Sequence, residues 1–486
     1  MQKRVISGIL ALALVLTLML TLTLAQADVR VELDGIDGGS ASVTASEDDS
    51  AALLEGYLYQ VNGLDVPEVV KAESSGNTAS RPATYMASMN PTLRAVYDQL
   101  VPEIQKIAAG QGDSSIFELS FQPLTFTKEE LGIEGDILVL DKENQYQFSE
   151  EANEAVTNAF SAELDVNMLL NQLLARHPYE LYWFDKVFKQ DDVSAISVRP
   201  ICSVDGQQTT VTVSDCQILM VVSQDYAVTD AATQQYYLYS PDTAKTGAAR
   251  TAAATAAQVV AENQGKGIYS KLVAYREYIT KAVDYNFDVA NTANYPYGDP
   301  WQLIYVFDGD PKTNVVCEGY SKAFKYLCDL TWTGSDPEVK CYLAVGKMDS
   351  EDHMWNIVSI GGANYLTDIT NCDSYADGKF AIGYPDQLFL CGAEGGVDAG
   401  YTVDIPGQRK VLYTYDDKET KRIYNDQELV LSETKYSPLA FSLDQLTALA
   451  RYAAGITTDK SAAIDVNKDG IISAADLTAM AQSLVS

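Results

Sequence analysis

The sequence has few histidines: only His177 and His353 occur among its 486 residues. Any mechanism that needs an imidazole must use one of these two residues, and metal sites built from several histidines are excluded. The HExxH motif of many zinc peptidases is absent, as are GxSxG, Walker A and a GxGxxG in a strand–helix context. The sequence therefore lacks the signatures of HExxH zinc peptidases, of α/β-hydrolases, of P-loop nucleotide-binding proteins and of dinucleotide-binding enzymes.

Basic residues are also scarce. The sequence has 34 lysines and arginines and 67 acidic residues, which gives a formal net charge of −33. So acidic a surface repels phosphate backbones, and we therefore expect no nucleic-acid partner. The remaining composition, 47% hydrophobic and 21% charged, is typical of a globular protein. A chain of this length is expected to form about two to four domains.

Charge is missing altogether between residues 5 and 24, directly after Lys3 and Arg4. The following Ala25-Gln26-Ala27 has the small-x-small pattern of a cleavage site, so residues 1–27 are predicted to be a signal peptide. The protein is then secreted, either free or in a cell-surface complex, with no membrane association after cleavage. The alternative is an uncleaved anchor, since about 20 apolar residues suffice to span a bilayer.

Cysteine is sparse and never occurs as CxxC. An odd number of cysteines in an exported chain indicates a free, reactive thiol. Cys202 and Cys216 flank the turn signal Asp205-Gly206 and could pair across it; alternatively, all cysteines except one are small buried side chains. The seven are Cys202, Cys216, Cys317, Cys328, Cys341, Cys372 and Cys391.

The sequence pattern divides the chain into five regions. These are a signal peptide (1–27), a flexible leader (28–60), an N-terminal α+β region (61–245), a candidate catalytic domain (246–430) and a small all-α module (431–486). A helix is predicted to begin at Asn90-Pro91, where an N-cap residue precedes a proline. Single helices are predicted over 149–176 and 248–282, and strands over 115–126 and 194–223.

The C-terminal module contains a calcium-loop pattern over residues 465–476, with a glycine at the sixth position for the sharp turn. Oxygen ligands at this spacing favour a structural Ca²⁺ ion; the alternative is a solvated acidic turn before a helix. The predicted ligands are Asp465, Asn467, Asp469, the Ile471 carbonyl, Ser473 and Asp476.

The same module contains a half-repeat, because LTALA at 446–450 recurs as LTAMA at 477–481. Residues 435–486 therefore resemble a dockerin, a duplicated calcium-loop and helix module. Only one loop keeps its ligands, since Thr434, Tyr436, Pro438 and Gln445 occupy the corresponding positions of the first copy. The resemblance implies binding to a cohesin domain of a scaffoldin, as in a cellulosome.

The strongest chemical signal surrounds Cys317. Apolar residues at 316, 320, 323, 324 and 327 recur with helical spacing, so Cys317 is predicted to begin an amphipathic helix. The unpaired N–H groups and the positive dipole at a helix N-terminus favour a thiolate there.

A hairpin is predicted further along the chain, with Gly361-Gly362 as its two-residue turn. In that register Ile360 opposes Ala363, and His353 and Asp368 lie diagonally on one face within reach of a hydrogen bond. A thiol, an imidazole and a carboxylate would then form a nucleophile–base–orienter triad.

Three blocks, VVCEGYSKAFKYLC (315–328), HMWNIV (353–358) and YLTDIT (365–370), closely resemble the transglutaminase-like superfamily. The resemblance implies an α+β, papain-like core in which a helix bearing the cysteine packs on an antiparallel sheet bearing the histidine and aspartate. It makes Cys317 the nucleophile, His353 the base and Asp368 its orienter, and it implies no catalytic cofactor.

Together these features predict an exported, cysteine-dependent acyl-transfer enzyme that forms a thioester on Cys317 from a protein or peptide substrate. Water as the acceptor gives a peptidase or amidase, which the resemblance favours, and an amine as the acceptor gives a transglutaminase. The alternative is a catalytically inactive binding or scaffold subunit of a polysaccharide-degrading complex. His177, among aromatic residues, is predicted to be structural.

Overall fold

The computed structural model describes residues 30–32, 89–142, 145–186, 196–205, 208–290, 303–333, 337–373, 387–405, 407, 409–438, 449–452 and 471–476. The predicted signal peptide, most of the predicted leader and the calcium-loop residues Asp465, Asn467 and Asp469 lie outside these residues. The fold is mixed α/β, with 36% helix, 30% strand and antiparallel sheets, which confirms the α+β class. No helix among the described residues combines the length and apolarity needed to cross a bilayer.

The described chain forms two compact units, of which the first covers Met1–Thr246. The helices are α1 (Pro91–Ala108), α2 (Glu150–Glu163) and α3 (Val166–Arg176). The strands are β1 (Arg30–Glu32), β2 (Ile116–Thr127), β3 (Leu138–Leu140), β4 (Tyr146–Phe148), β5 (Ile196–Val198), β6 (Ile201–Asp205), β7 (Gln208–Leu219), β8 (Ala227–Asp230) and β9 (Gln235–Pro241). The main sheet of this unit has the order β1-β6-β7-β2, and β5 also pairs with β7.

In this unit each helix begins directly after a residue whose side chain caps it. Helix α1 begins as predicted, because the Asn90 side chain accepts a hydrogen bond from the Leu93 N–H and a proline follows the cap. The single helix predicted over 149–176 is wrong, since Leu164 leaves the helical region and Asp165 caps a new helix by accepting from the Met168 N–H.

All seven cysteines are free and buried. The pairing considered for Cys202 and Cys216 does not form, because the β6–β7 register sets Cys202 opposite Val211. Cys216 lies further along β7, opposite Leu119 of β2 and Val198 of β5.

The second unit covers Gly247–Tyr295 and Asp299–Ser486. The helices are α4 (Gly247–Glu262), α5 (Ile268–Ala282), α6 (Phe287–Ala290), α7 (Ile304–Phe307), α8 (Cys317–Thr331), α9 (Thr420–Ile423) and α10 (Asp426–Leu429), with a 3₁₀ turn at Thr370–Cys372. The strands are β10 (Val339–Met348), β11 (Glu351–Ile360), β12 (Ala363–Thr367), β13 (Glu394–Gly396), β14 (Gly400–Ile405) and β15 (Arg409–Tyr415). The single helix predicted over 248–282 is interrupted between α4 and α5, where Gly267 caps the second helix.

One antiparallel sheet of order β12-β11-β10-β15-β14-β13 forms the centre of this unit. Helix α8 packs on β10 and β11. The apolar face expected from the sequence is buried, with Tyr320, Ala323, Phe324 and Leu327 fully enclosed. Burial of large side chains on both elements supplies the main stabilisation of this packing.

Candidate functional site

Cys317 is the first residue of α8, as predicted, and its side chain is buried. The preceding Val316 is extended and provides no side-chain cap, so the helix start presents backbone amides rather than a capping oxygen. Next to Cys317, the Glu318 carboxylate pairs with the Lys322 ammonium at 2.6 Å in the protein interior. Lys322 therefore neutralises the buried negative charge of Glu318.

Two hydrogen bonds connect α8 to β11. The Ser321 hydroxyl donates to the Met354 carbonyl at 3.0 Å, and the Asn356 side chain donates back to the Ser321 carbonyl at 3.0 Å. Because Met354 follows His353 directly and Ser321 is one turn after Cys317, these bonds fix the nucleophile helix relative to the histidine strand.

The hairpin has the predicted register. Gly361 and Gly362 both have positive φ, as a two-residue turn of this type requires, and Ile360 is paired with Ala363. Strand β12 ends at Thr367, so Asp368 follows it directly, with its N–H donating to the Leu388 carbonyl at 2.8 Å. His353 Nε2 lies 2.8 Å from Asp368 Oδ2.

Asp368 is completely buried, but its carboxylate accepts several hydrogen bonds. Besides His353 Nε2, its Oδ2 accepts from the Asn371 side chain at 2.7 Å and from the Tyr413 hydroxyl at 2.8 Å. Its Oδ1 accepts from the Asn371 N–H at 3.1 Å. A buried carboxylate stays ionised only with such compensation.

The protonation states follow from these contacts. Burial disfavours a charged imidazole, but the Asp368 carboxylate outweighs burial and, with a hydrogen bond to the Cys317 side chain, raises the pKa of His353 to about 10. Burial also disfavours the carboxylate, but His353, Asn371 and Tyr413 outweigh it and lower the pKa of Asp368. At neutral pH the two groups therefore form an imidazolium–carboxylate pair whose titrations are coupled.

Sequence reasoning missed three residues of this site. Asn371 follows Asp368 by one turn, a spacing at which amide side chains often bond a neighbouring carboxylate, so a local signal existed. Tyr413 comes from β15 and has no such signal. Tyr285 pairs with Val315 in an isolated parallel bridge, two residues before Cys317.

The half-buried Tyr285 lies near Cys317 and Asp368. Its ring stacks on that of Tyr320 at 6.4 Å and meets the exposed Phe287 ring edge-on at 5.0 Å. Burial and the neighbouring Cys317 and Asp368 raise the pKa of Tyr285, so its phenol is neutral across the physiological range.

The other histidine has a different environment. His177 lies in the first unit at the C-terminal end of α3, where its Nε2 and the Tyr97 hydroxyl share a hydrogen bond at 2.9 Å.

Of the predicted calcium ligands, only Ile471, Ser473 and Asp476 are described. Asp476 is buried, and its Oδ2 accepts a hydrogen bond from the Ser473 N–H at 2.7 Å. Among the residues that the structure describes, no group of three or more His, Cys, Asp or Glu side chains could hold a metal ion. The oxygen-only donor set of the sequence loop suits a hard cation, so the calcium site stays a prediction.

A scan against protein-family models gave no match, and a search of curated proteins gave no significant similarity.

Proposed function

We propose that this protein is a cysteine-dependent acyl-transfer enzyme with Cys317 as nucleophile, His353 as base and Asp368 as its orienter. The observation that carries the proposal is a pair of linked side-chain hydrogen bonds, one between Cys317 and His353 and one between His353 and Asp368. Since His353 Nε2 is engaged by Asp368, Nδ1 is the nitrogen left for the thiol. This is the arrangement that nucleophilic catalysis requires.

In the proposed reaction, the Cys317 sulfur attacks the carbonyl carbon of an amide. His353 gives its proton to the departing nitrogen as the C–N bond breaks, and a thioester remains on Cys317. Water or an amine then attacks the thioester, His353 takes the proton from that acceptor, and the thiolate leaves. The Cys317 backbone N–H, at the first residue of α8, is the proposed donor to the oxyanion.

The transglutaminase-like resemblance of the three sequence blocks supports this assignment, and a peptidase or amidase is the favoured form. A dockerin-like module of residues 431–486 would attach the enzyme to a cohesin-bearing scaffold outside the cell. Both the attachment and the export rest on sequence features alone.

The test is incubation of the full-length protein with a casein-like substrate and a labelled primary amine. Fragments or released ammonia without label indicate hydrolysis, and incorporated label without fragments indicates amine transfer. Either activity should disappear in Cys317→Ala and persist in the matched control Cys202→Ala, which removes a buried thiol of the first unit. No turnover of any amide substrate, or turnover that survives Cys317→Ala, would contradict the proposal.

A further inference from the structure

Asp368 Oδ2 is an unusually crowded acceptor. It accepts hydrogen bonds from His353 Nε2 at 2.8 Å, from the Asn371 side chain at 2.7 Å and from the Tyr413 hydroxyl at 2.8 Å. The Asn371 and Tyr413 donors are buried, and neither belongs to the three sequence blocks around the triad. A triad needs only the first bond, so the other two require an explanation.

The hydrogen bonds from Asn371 and Tyr413 offset the cost of burying the Asp368 charge. A carboxylate with no exposure to water loses its hydration and tends to take up a proton. Tyr413 is suited to counter this, because burial and the adjacent Asp368 raise its own pKa well above the ordinary value and keep its hydroxyl a donor. Each donor to the charged form makes protonation of Asp368 harder.

Strand pairing brings Tyr413 to this position. Gly346 of β10 is paired with His353 on one side and with Tyr415 on the other, and Tyr413 is paired with Met348. Strand β10 thus lies between β11 and β15, and the rings of His353 and Tyr413 are 6.4 Å apart between their centroids. A Cβ at Gly346 would overlap the Thr414 carbonyl oxygen.

We propose that Tyr413 and Asn371 are positioning residues that keep Asp368 ionised and directed at His353, and so extend the intact His353–Asp368 pair to lower pH. The functional meaning rests on the proposed role of His353 as base. The ionisation of Asp368 itself does not depend on that role.

The other titratable groups around the carboxylate do not account for this effect. The Asp368 carboxylate acts electrostatically on Tyr285 and Cys391, and Cys372 and Cys391 act on Tyr413. Cys317 acts on His353 and Tyr285. Burial, with Asp368, raises the pKa of Cys391 to about 12, and the phenol of Tyr285 is also neutral in acid. His353 is protonated throughout the acidic range, so it reports on Asp368 without titrating there.

Histidine-selective NMR of the full-length protein tests the proposal, because only His353 and His177 contribute signals. The ring signal of His353 should show an inflection in acid when Asp368 takes up a proton. In Tyr413→Phe this inflection should move to higher pH by about one unit, the size expected for losing a hydrogen bond to a charged group. Asn371→Ala should move it in the same direction.

Tyr415→Phe is the matched control. It removes another buried hydroxyl from β15, but that hydroxyl donates to the Leu429 carbonyl at 3.0 Å. Its inflection should coincide with that of the unaltered protein, and Asp368→Asn should abolish the inflection. Midpoints unchanged in Tyr413→Phe and Asn371→Ala, or an equal shift in Tyr415→Phe, would overturn the proposal. If Tyr413→Phe does not fold, Asn371→Ala decides.

The readout does not depend on turnover. A shifted inflection in a protein that transfers no acyl group leaves the positioning role intact and removes the proposed function. An unshifted inflection in an active enzyme removes the positioning role and leaves the proposed function intact.

Discussion

His353 Nε2 donates a hydrogen bond to Asp368 Oδ2 at 2.8 Å, with both side chains enclosed in the second unit. A glycine turn sets this contact, because Gly361-Gly362 fixes the register of β11 against β12 and leaves Asp368 directly after the last paired residue. The pair is ionic at neutral pH, and several measurable properties depend on it.

We expect iodoacetamide near neutral pH to label Cys317 before the other cysteines. Burial raises the pKa of Cys202 to about 11 and, with smaller electrostatic contributions, those of Cys216 and Cys391 to about 12, so these thiols are rarely ionised. Peptide mapping by mass spectrometry measures the rates. His353→Ala should slow labelling of Cys317 by roughly tenfold or more; equal rates in both proteins would contradict activation by His353.

Asp368→Ala should destabilise the second unit by about 3 to 5 kcal/mol, because it leaves a buried imidazolium without its partner. Urea unfolding followed by circular dichroism measures this loss. The control is Asp352→Asn on β11, the strand of His353, which breaks the Lys347–Asp352 pair at the surface. That change should cost about 1 kcal/mol or less, and similar losses in the two variants would show that the buried pair contributes little.

The His353–Asp368 pair also predicts how stability varies with pH. The pKa of His353 is raised in the folded protein to about 10, so its contribution is fully present below the unfolded value near 6.5. The free energy of unfolding should therefore fall as pH rises from that value towards about 10. In His353→Gln, which does not titrate, this part of the decline should be absent, and identical pH profiles would refute the assignment.

Gly346→Ala should destabilise the protein by about 1 to 3 kcal/mol, as overpacking does. The new methyl group would overlap the Thr414 carbonyl and force β15 away from β10. Gly396→Ala is a suitable control, since a Cβ there meets no atom within 4 Å. Thermal unfolding compares the two variants, and an equally mild effect of both would argue against close strand approach at Gly346.

The C-terminal loop predicts calcium binding that depends on individual oxygen ligands. Isothermal titration of the full-length protein with Ca²⁺ should detect one site, which is lost in Asp465→Ala and Asp469→Ala. Asp459→Ala, just outside the loop, should bind as the unaltered protein does. A chain that binds no Ca²⁺, or whose binding survives both loop changes, would leave only a solvated acidic turn.

Local sequence signals predicted much of the site. The spacing of apolar residues identified α8 and its start at Cys317, because a helix buries one face at regular intervals. Two helix predictions failed at Asp165 and Gly267, where a cap begins a new helix within an otherwise continuous pattern. Periodicity reports burial of a face but does not distinguish one bent or interrupted helix from two.

The sequence by itself determined the nucleophile helix, the glycine turn and the register that makes His353 and Asp368 neighbours, since each depends on residues close together in the chain. The tertiary structure alone decided that Tyr413 and Tyr285 join them. Their positions depend on the pairing of β15 with β10 and of Tyr285 with Val315. Such contacts between distant segments are selected by the packing of the whole unit, and no local spacing encodes them.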